Sequence, residues 1–139
     1  MNAVSEPGRV RAQGKINVRS YDPQRYGESG DGPALSRIHV EEQFLGDIEG
    51  EGVAEFLQAQ MADGSASFVG MERVAGSIHG RRGTFLLQDH GTLNGTQVSG
   101  HWFVIPDSAS GELVGLRGEG GFTAQLGEGA DISLDYWFA

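Results

Sequence analysis

The chain contains no cysteine, only 4 prolines, no excess of positive charge and no long apolar run. Without cysteine there are no disulfides, no thiolate metal ligands and no sulfur nucleophile. The formal charge of −9, from 19 acidic and 10 basic residues, disfavours a nucleic-acid partner or an anionic membrane surface, because neutralising phosphates takes clustered Lys and Arg. The one basic doublet is Arg81-Arg82. No 18-residue apolar segment is present and the first residues have no apolar core, so a cytoplasmic protein is expected. At 139 residues the chain reads as a single domain spanning 1–139, with 1–9 as a flexible start.

Helical periodicity is also lacking: apolar residues do not recur at i, i+3, i+4 and i+7 over any long window. What is present instead is glycine, 23 residues without a three-residue period, spread through β-branched and aromatic runs that alternate every second position. Turn signals divide the chain into about eight strands, at roughly 10–20, 36–45, 50–62, 65–79, 84–93, 96–105, 118–126 and 131–138. Segment 21–35 reads as a long loop, and 106–117 as a second irregular stretch with one helical turn at Glu112 to Leu116. Eight sequential antiparallel strands form a sandwich or close on themselves, and closure removes exposed edges. The expected fold is therefore all-β, an eight-stranded antiparallel closed barrel.

Turns set register, and register decides which side chains share a face. Asp63-Gly64 and Asn94-Gly95 are read as two-residue type I′ turns. The first sets Glu55 opposite Glu72, and the second sets Gln88 opposite His101 and Leu87 opposite Trp102. Arg81-Arg82-Gly83 is read as a three-residue loop setting Gly80 opposite Thr84. Glu55, Glu72, Gln88, His90 and His101 then converge on one face, with Phe56, Phe85, Leu87, Met71, Trp102 and Val104 on the other, where Arg73 and Asp89 form an ion pair. Facing carboxylates repel, and burial raises at least one of them into the range useful for acid–base chemistry. Glu55, Glu72 and His90 are thus the candidate catalytic groups. Phe68, Gln88, His101, Trp102 and Arg117 are the candidate ligand-binding residues, Arg117 either holding a ligand carboxylate or bracing its loop. The competing reading leaves Glu55, Glu72 and His90 as ordinary surface groups.

Other motifs carry less. The glycine-rich run at 115–120 lacks the strand-to-helix context of a phosphate loop, and its glycines suit a strand that bends at a barrel corner. Histidines 39, 79, 90 and 101 lack metal-ligand spacing, so no metal is expected. No Gly-x-Ser-x-Gly elbow is present.

The runs 46–51 (GDIEGE), 63–73 (DGSASFVGMER), 80–88 (GRRGTFLLQ), 110–120 (SGELVGLRGEG) and 134–136 (LDY) closely resemble the bacterial domain of unknown function 3224. The resemblance spans nearly the whole chain beyond the first ten residues. It implies an eight-stranded barrel similar to allene oxide cyclase and dirigent proteins, and a homo-oligomer. The family pattern places His directly after the Gln matching Gln88, whereas here Asp89 intervenes, so no role passes to His90 from the family. The leading expectation is a small-molecule-binding barrel, a cofactor-independent cyclase or isomerase acting on an apolar or polyketide-like ligand in its lumen. The alternatives are a barrel that sequesters a metabolite unchanged and a non-catalytic oligomeric binding or structural protein.

Overall fold

A computed structural model describes residues 8–27, 30 and 32–139. Of the start at 1–9 read as flexible, residues 1–7 lie outside the described residues. Eight antiparallel strands close into one barrel in sequence order. They are β1 (Val10–Tyr26), β2 (Ala34–Gly46), β3 (Ile48–Gln60), β4 (Ala66–Ile78), β5 (Arg81–Asn94), β6 (Gln97–Val104), β7 (Leu116–Gln125) and β8 (Ala130–Phe138). The expected barrel is the observed one. The loop expected at 21–35 is shorter, because β1 runs on to Tyr26 and pairs with β2 as far as Leu35. The helical turn in the second irregular stretch is a 3-10 turn at Gly111–Leu113, earlier than expected, and β7 already begins at Leu116.

Inward positions alternate with outward ones along each strand, as the pleat requires. In β2 the buried series is Ile38, Val40, Glu42 and Phe44; in β5 it is Phe85, Leu87, Asp89 and Gly91. The two ends of the barrel differ. At one end Ile48, Ile78, Phe85, Val104, Leu116 and Leu134 form a hydrocarbon core, closed by Leu113 of the 3-10 turn, which is fully buried. At the other end the inward residues Phe56, Phe68, Leu93, Val98 and Phe122 remain only half-buried, so this end is the more open of the two.

Three turns differ from those expected, and each difference has a local cause. The β3–β4 connection holds three residues, 62–64: Met61 N–H donates to the Ser65 carbonyl (2.8 Å) and Gly64 N–H to the Met61 carbonyl (3.0 Å). Gly64 takes φ +90°, the left-handed bulge position that follows a type I turn, and the Asp63 carboxylate accepts Ser65 N–H at 2.9 Å. The β4–β5 turn is the two-residue one: His79 (φ +46°) and Gly80 (φ +83°) are both left-handed between the paired Ile78 and Arg81, the type I′ geometry. At β5–β6 the loop is Gly95-Thr96 between the paired Asn94 and Gln97. There Gly95 (φ +61°) fills the first central position, as in a type II′ turn.

Candidate functional site

These registers reassign the faces. Glu72 stands opposite Ala54, and Glu55 opposite Met71; Met71 in turn pairs with Gln88, and Glu72 with Leu87. Glu72 therefore points inward, while Glu55, Gln88, His90 and His101 point outward, and the convergence expected of them does not occur. The residues expected on the opposite face, Phe56, Phe85, Leu87, Trp102 and Val104, are the ones that share the interior with Glu72. Met71 is the exception, on the outer wall. Arg73 is exposed outside and Asp89 is buried inside, so no ion pair joins them.

What the interior gathers is a set of three acids: Glu42 on β2, Glu72 on β4 and Asp89 on β5, respectively 8%, 1% and 1% exposed. Gly52 on β3 makes their approach feasible. It pairs with Glu42, and a Cβ there would lie 2.2 Å from Glu72 Oε2 and 2.7 Å from the Phe44 ring. Over this bare stretch of wall the Glu42 and Glu72 carboxyls share a hydrogen bond.

Burial dominates the electrostatics of all three groups, because desolvation penalises a charged carboxylate. Glu72 is held well above the usual carboxylate range by burial, then by its bond to Glu42 and the neighbouring charges of Glu42 and Asp89. Asp89 is pushed up to about 7 by burial and by the charge of Glu42. Burial also raises Glu42, while its bond with Glu72 pulls it back. The Oε2 of Glu72 and the Oδ1 of Asp89 are buried without any hydrogen-bond partner, a state that costs about 1–3 kcal/mol per group, more when charged.

An aromatic series leads from the open end to these acids. Phe56 and Phe68 meet edge to face at 5.5 Å, Phe68 stacks on Phe122 at 6.2 Å, Phe122 lies 5.1 Å from Trp102, and Trp102 lies 6.3 Å from Phe44. The rings lie against glycines of the neighbouring strand: a Cβ on Gly100 would be 2.2 Å from the Phe122 ring. Trp102 stands opposite Asp89 and is fixed by its indole N–H donating to the Ser133 carbonyl (3.0 Å). Of the expected ligand-binding residues, Phe68 and Trp102 therefore line the interior.

The rest lie elsewhere. His90 and His101 pair across β5 and β6 with ring centroids 5.4 Å apart. With Phe103, Glu119 and Asp135 they border an outer groove of about 360 Å³. Glu55 bonds His39 Nδ1, whose Nε2 contacts Glu41 at 2.9 Å. Arg117 is on the outer wall at the plugged end, 3.7 Å from Asp107. A further cluster, Tyr136 hydroxyl to His79 Nδ1 at 2.6 Å with Asp47 3.5 Å from Nε2, ties the His79 turn to β8. Among the described residues no group of three His, Asp or Glu is placed to hold a metal ion, and no helix is long and apolar enough to cross a membrane.

The chain belongs to the family of proteins of unknown function DUF3224, whose model matches residues 12–136. It is similar to the crystal structure of a DUF3224 protein of unknown function from Shewanella oneidensis MR-1. The two share 30% identity and a TM-score of 0.80, over 94% of this chain and 98% of that one. No curated protein matches the chain.

Proposed function

We propose that this member of the family is a small-molecule-binding barrel that admits its ligand through the open end. The ligand's apolar body would lie along Phe56, Phe68, Phe122 and Trp102, and its polar end would reach the Glu42–Glu72–Asp89 cluster. The single observation that carries this reading is the pair of buried, unpartnered carboxyl oxygens on Glu72 and Asp89 at the foot of an aromatic wall that remains half-exposed at its mouth. Binding sites combine an apolar lining with a few polar groups in this way. A barrel filled by its own side chains has no use for orphaned acids in its middle, since isosteric apolar residues avoid the desolvation penalty.

A second reading, a cofactor-independent isomerase or cyclase in a cytoplasmic setting, is favoured by one observation. Asp89, pushed up to about 7 by burial and by the charge of Glu42, accompanies Glu72, which burial raises well above the usual carboxylate range. Groups whose protonation states are pushed apart in this manner can serve as acid and base.

Native mass spectrometry of the purified protein tests the binding reading. A bound small molecule in the wild type, lost or exchanged in Glu72→Gln while cooperative thermal melting is kept, is the expected result. Identical, ligand-free spectra for both proteins after exposure to cell extract would overturn it.

A further inference from the structure

We propose that the ligand class of the lumen is an organic cation, an amine with an aromatic or aliphatic body, recognised by Glu42, Glu72 and Asp89 beneath the rings of Phe44, Trp102 and Phe122. This inference rests on the lumenal binding reading and narrows it to one chemistry.

The charge inventory of the interior points in one direction. Among the described residues, the inward positions of β2 to β8 hold three acids and a single basic side chain, Arg81. Arg81 is exposed at the plugged end, its guanidinium 4.4 Å from the centroid of Phe138. Arg25, opposite Ser36, is exposed at the end of β1. Neither neutralises the cluster. Buried carboxylates ordinarily have a paired cation or a metal, and among the described residues no basic side chain is paired with Glu72 Oε2 or Asp89 Oδ1.

The vacant hydrogen-bond positions have a definite sense. An unprotonated carboxyl oxygen can only accept, and Glu72 Oε2 and Asp89 Oδ1 are both buried with no donor facing them. Both orphaned oxygens therefore call for a donor, and an ammonium N–H is a donor that also relieves the repulsion among three acids. A carbonyl or carboxylate ligand would leave these oxygens unsatisfied.

The walls suit the same class. Phe44 reaches the acids directly, its ring and Glu72 Oε2 both converging on the space above Gly52, and Trp102 is cross-strand neighbour to Asp89. Aromatic faces attract cations, most strongly where water is excluded. The net charge of −9 adds a long-range pull on cations approaching the mouth.

The test compares isosteres on the whole protein at pH 8. Benzylamine, phenethylamine and hexylamine would be titrated against benzyl alcohol, 2-phenylethanol and hexanol, and against benzoate and hexanoate. Binding would be followed by calorimetry and by Trp102 fluorescence in a Trp137→Phe background. The expected result is that each amine binds at least tenfold more tightly than its alcohol, and that the carboxylates do not bind. Asp89→Asn and Glu42→Gln should each weaken the amines tenfold or more and leave the alcohols within twofold. Alcohols or carboxylates binding as tightly as amines would overturn the cationic assignment and leave the lumenal binding reading standing. Absence of binding by all three series would overturn both. The wild-type comparison needs no substitution, so the assignment is tested even if a variant fails to fold.

Discussion

Glu42 and Glu72, on strands separated by β3, hydrogen-bond to each other across Gly52. The glycine is therefore part of the acid cluster although it has no side chain. It removes the one methyl group that would keep the two carboxyls apart.

The cluster sets a pH dependence of stability whose sign is fixed by the upward shifts. Glu42, Glu72 and Asp89 all bind protons more tightly folded than unfolded, so the folded state gains over the unfolded one at low pH and loses as pH rises. For Asp89 the window runs from 3.8 to about 7, a loss on the order of 4 kcal/mol by pH 8. Asp89→Asn should flatten the profile of unfolding free energy between pH 5 and 8 and stabilise the protein at pH 8. Urea titrations across that range measure it; an unchanged slope would show that Asp89 is not the titrating group.

On the outer wall, His39 is raised above its ordinary range by its bonds to Glu55 and then to Glu41. Glu55→Gln should bring the His39 pKa down toward 6.5 in an NMR titration. Because the folded value is the higher one, any stability this pair adds is present below the unfolded pKa and fades as pH rises through the folded pKa. The same substitution should leave lumenal binding unchanged, since Glu55 faces away from it.

Two glycines under aromatic rings should answer differently to an added methyl. At Gly100 the nearest atoms all belong to the Phe122 ring, at 2.2 to 2.7 Å, and this half-buried ring can swing into the lumen. At Gly91 the Ser99 carbonyl lies 2.2 Å away, and backbone cannot yield without disturbing the ladder. Gly91→Ala should cost about 2–3 kcal/mol and Gly100→Ala about 1 kcal/mol. Equal melting temperatures for the two variants would contradict this.

His79 occupies a left-handed conformation, anchored by its N–H on the Asp47 carbonyl (2.9 Å) and by the Tyr136 hydroxyl. Asn tolerates this φ and a β-branched residue does not. His79→Val should be less stable than His79→Asn by about 1–2 kcal/mol, read from chemical denaturation of the pair.

The strand count and barrel closure were legible because alternation and turn composition are local properties. The face assignments were less so, since each turn's length moves every later side chain. Asp63-Gly64 has the composition of a two-residue turn, but its glycine completes a three-residue loop. His79-Gly80 carries no such composition, because its first left-handed residue is a histidine, outside the Asn, Asp and Gly group that marks type I′ turns. At Asn94-Gly95 the pairing slipped by two, which preserves parity, and so His90 and His101 still share a face. Glu42 and Asp89 were readable in principle: each sits at an apolar-parity position, within Ile38-x-Val40-x-Glu42-x-Phe44 and Phe85-x-Leu87-x-Asp89. A single acid in register with hydrophobes is a signal for a buried carboxyl, and an ion pair with Arg73, which lies on the opposite face of the neighbouring strand, could not account for Asp89.

The seam of the barrel joins β1 to β8, with Arg11 bonded to Asp135 across a sequence separation of 124 residues. All other ladders connect successive strands. Ring closure must therefore wait until β8 has left the ribosome, and it carries the chain-entropy penalty of the longest loop in the molecule. Until that zipper engages, the margins of β1 and β8 remain unsatisfied templates for intermolecular pairing, and the docking of these two strands is the step that completes folding on the millisecond-to-second scale of non-local β topologies.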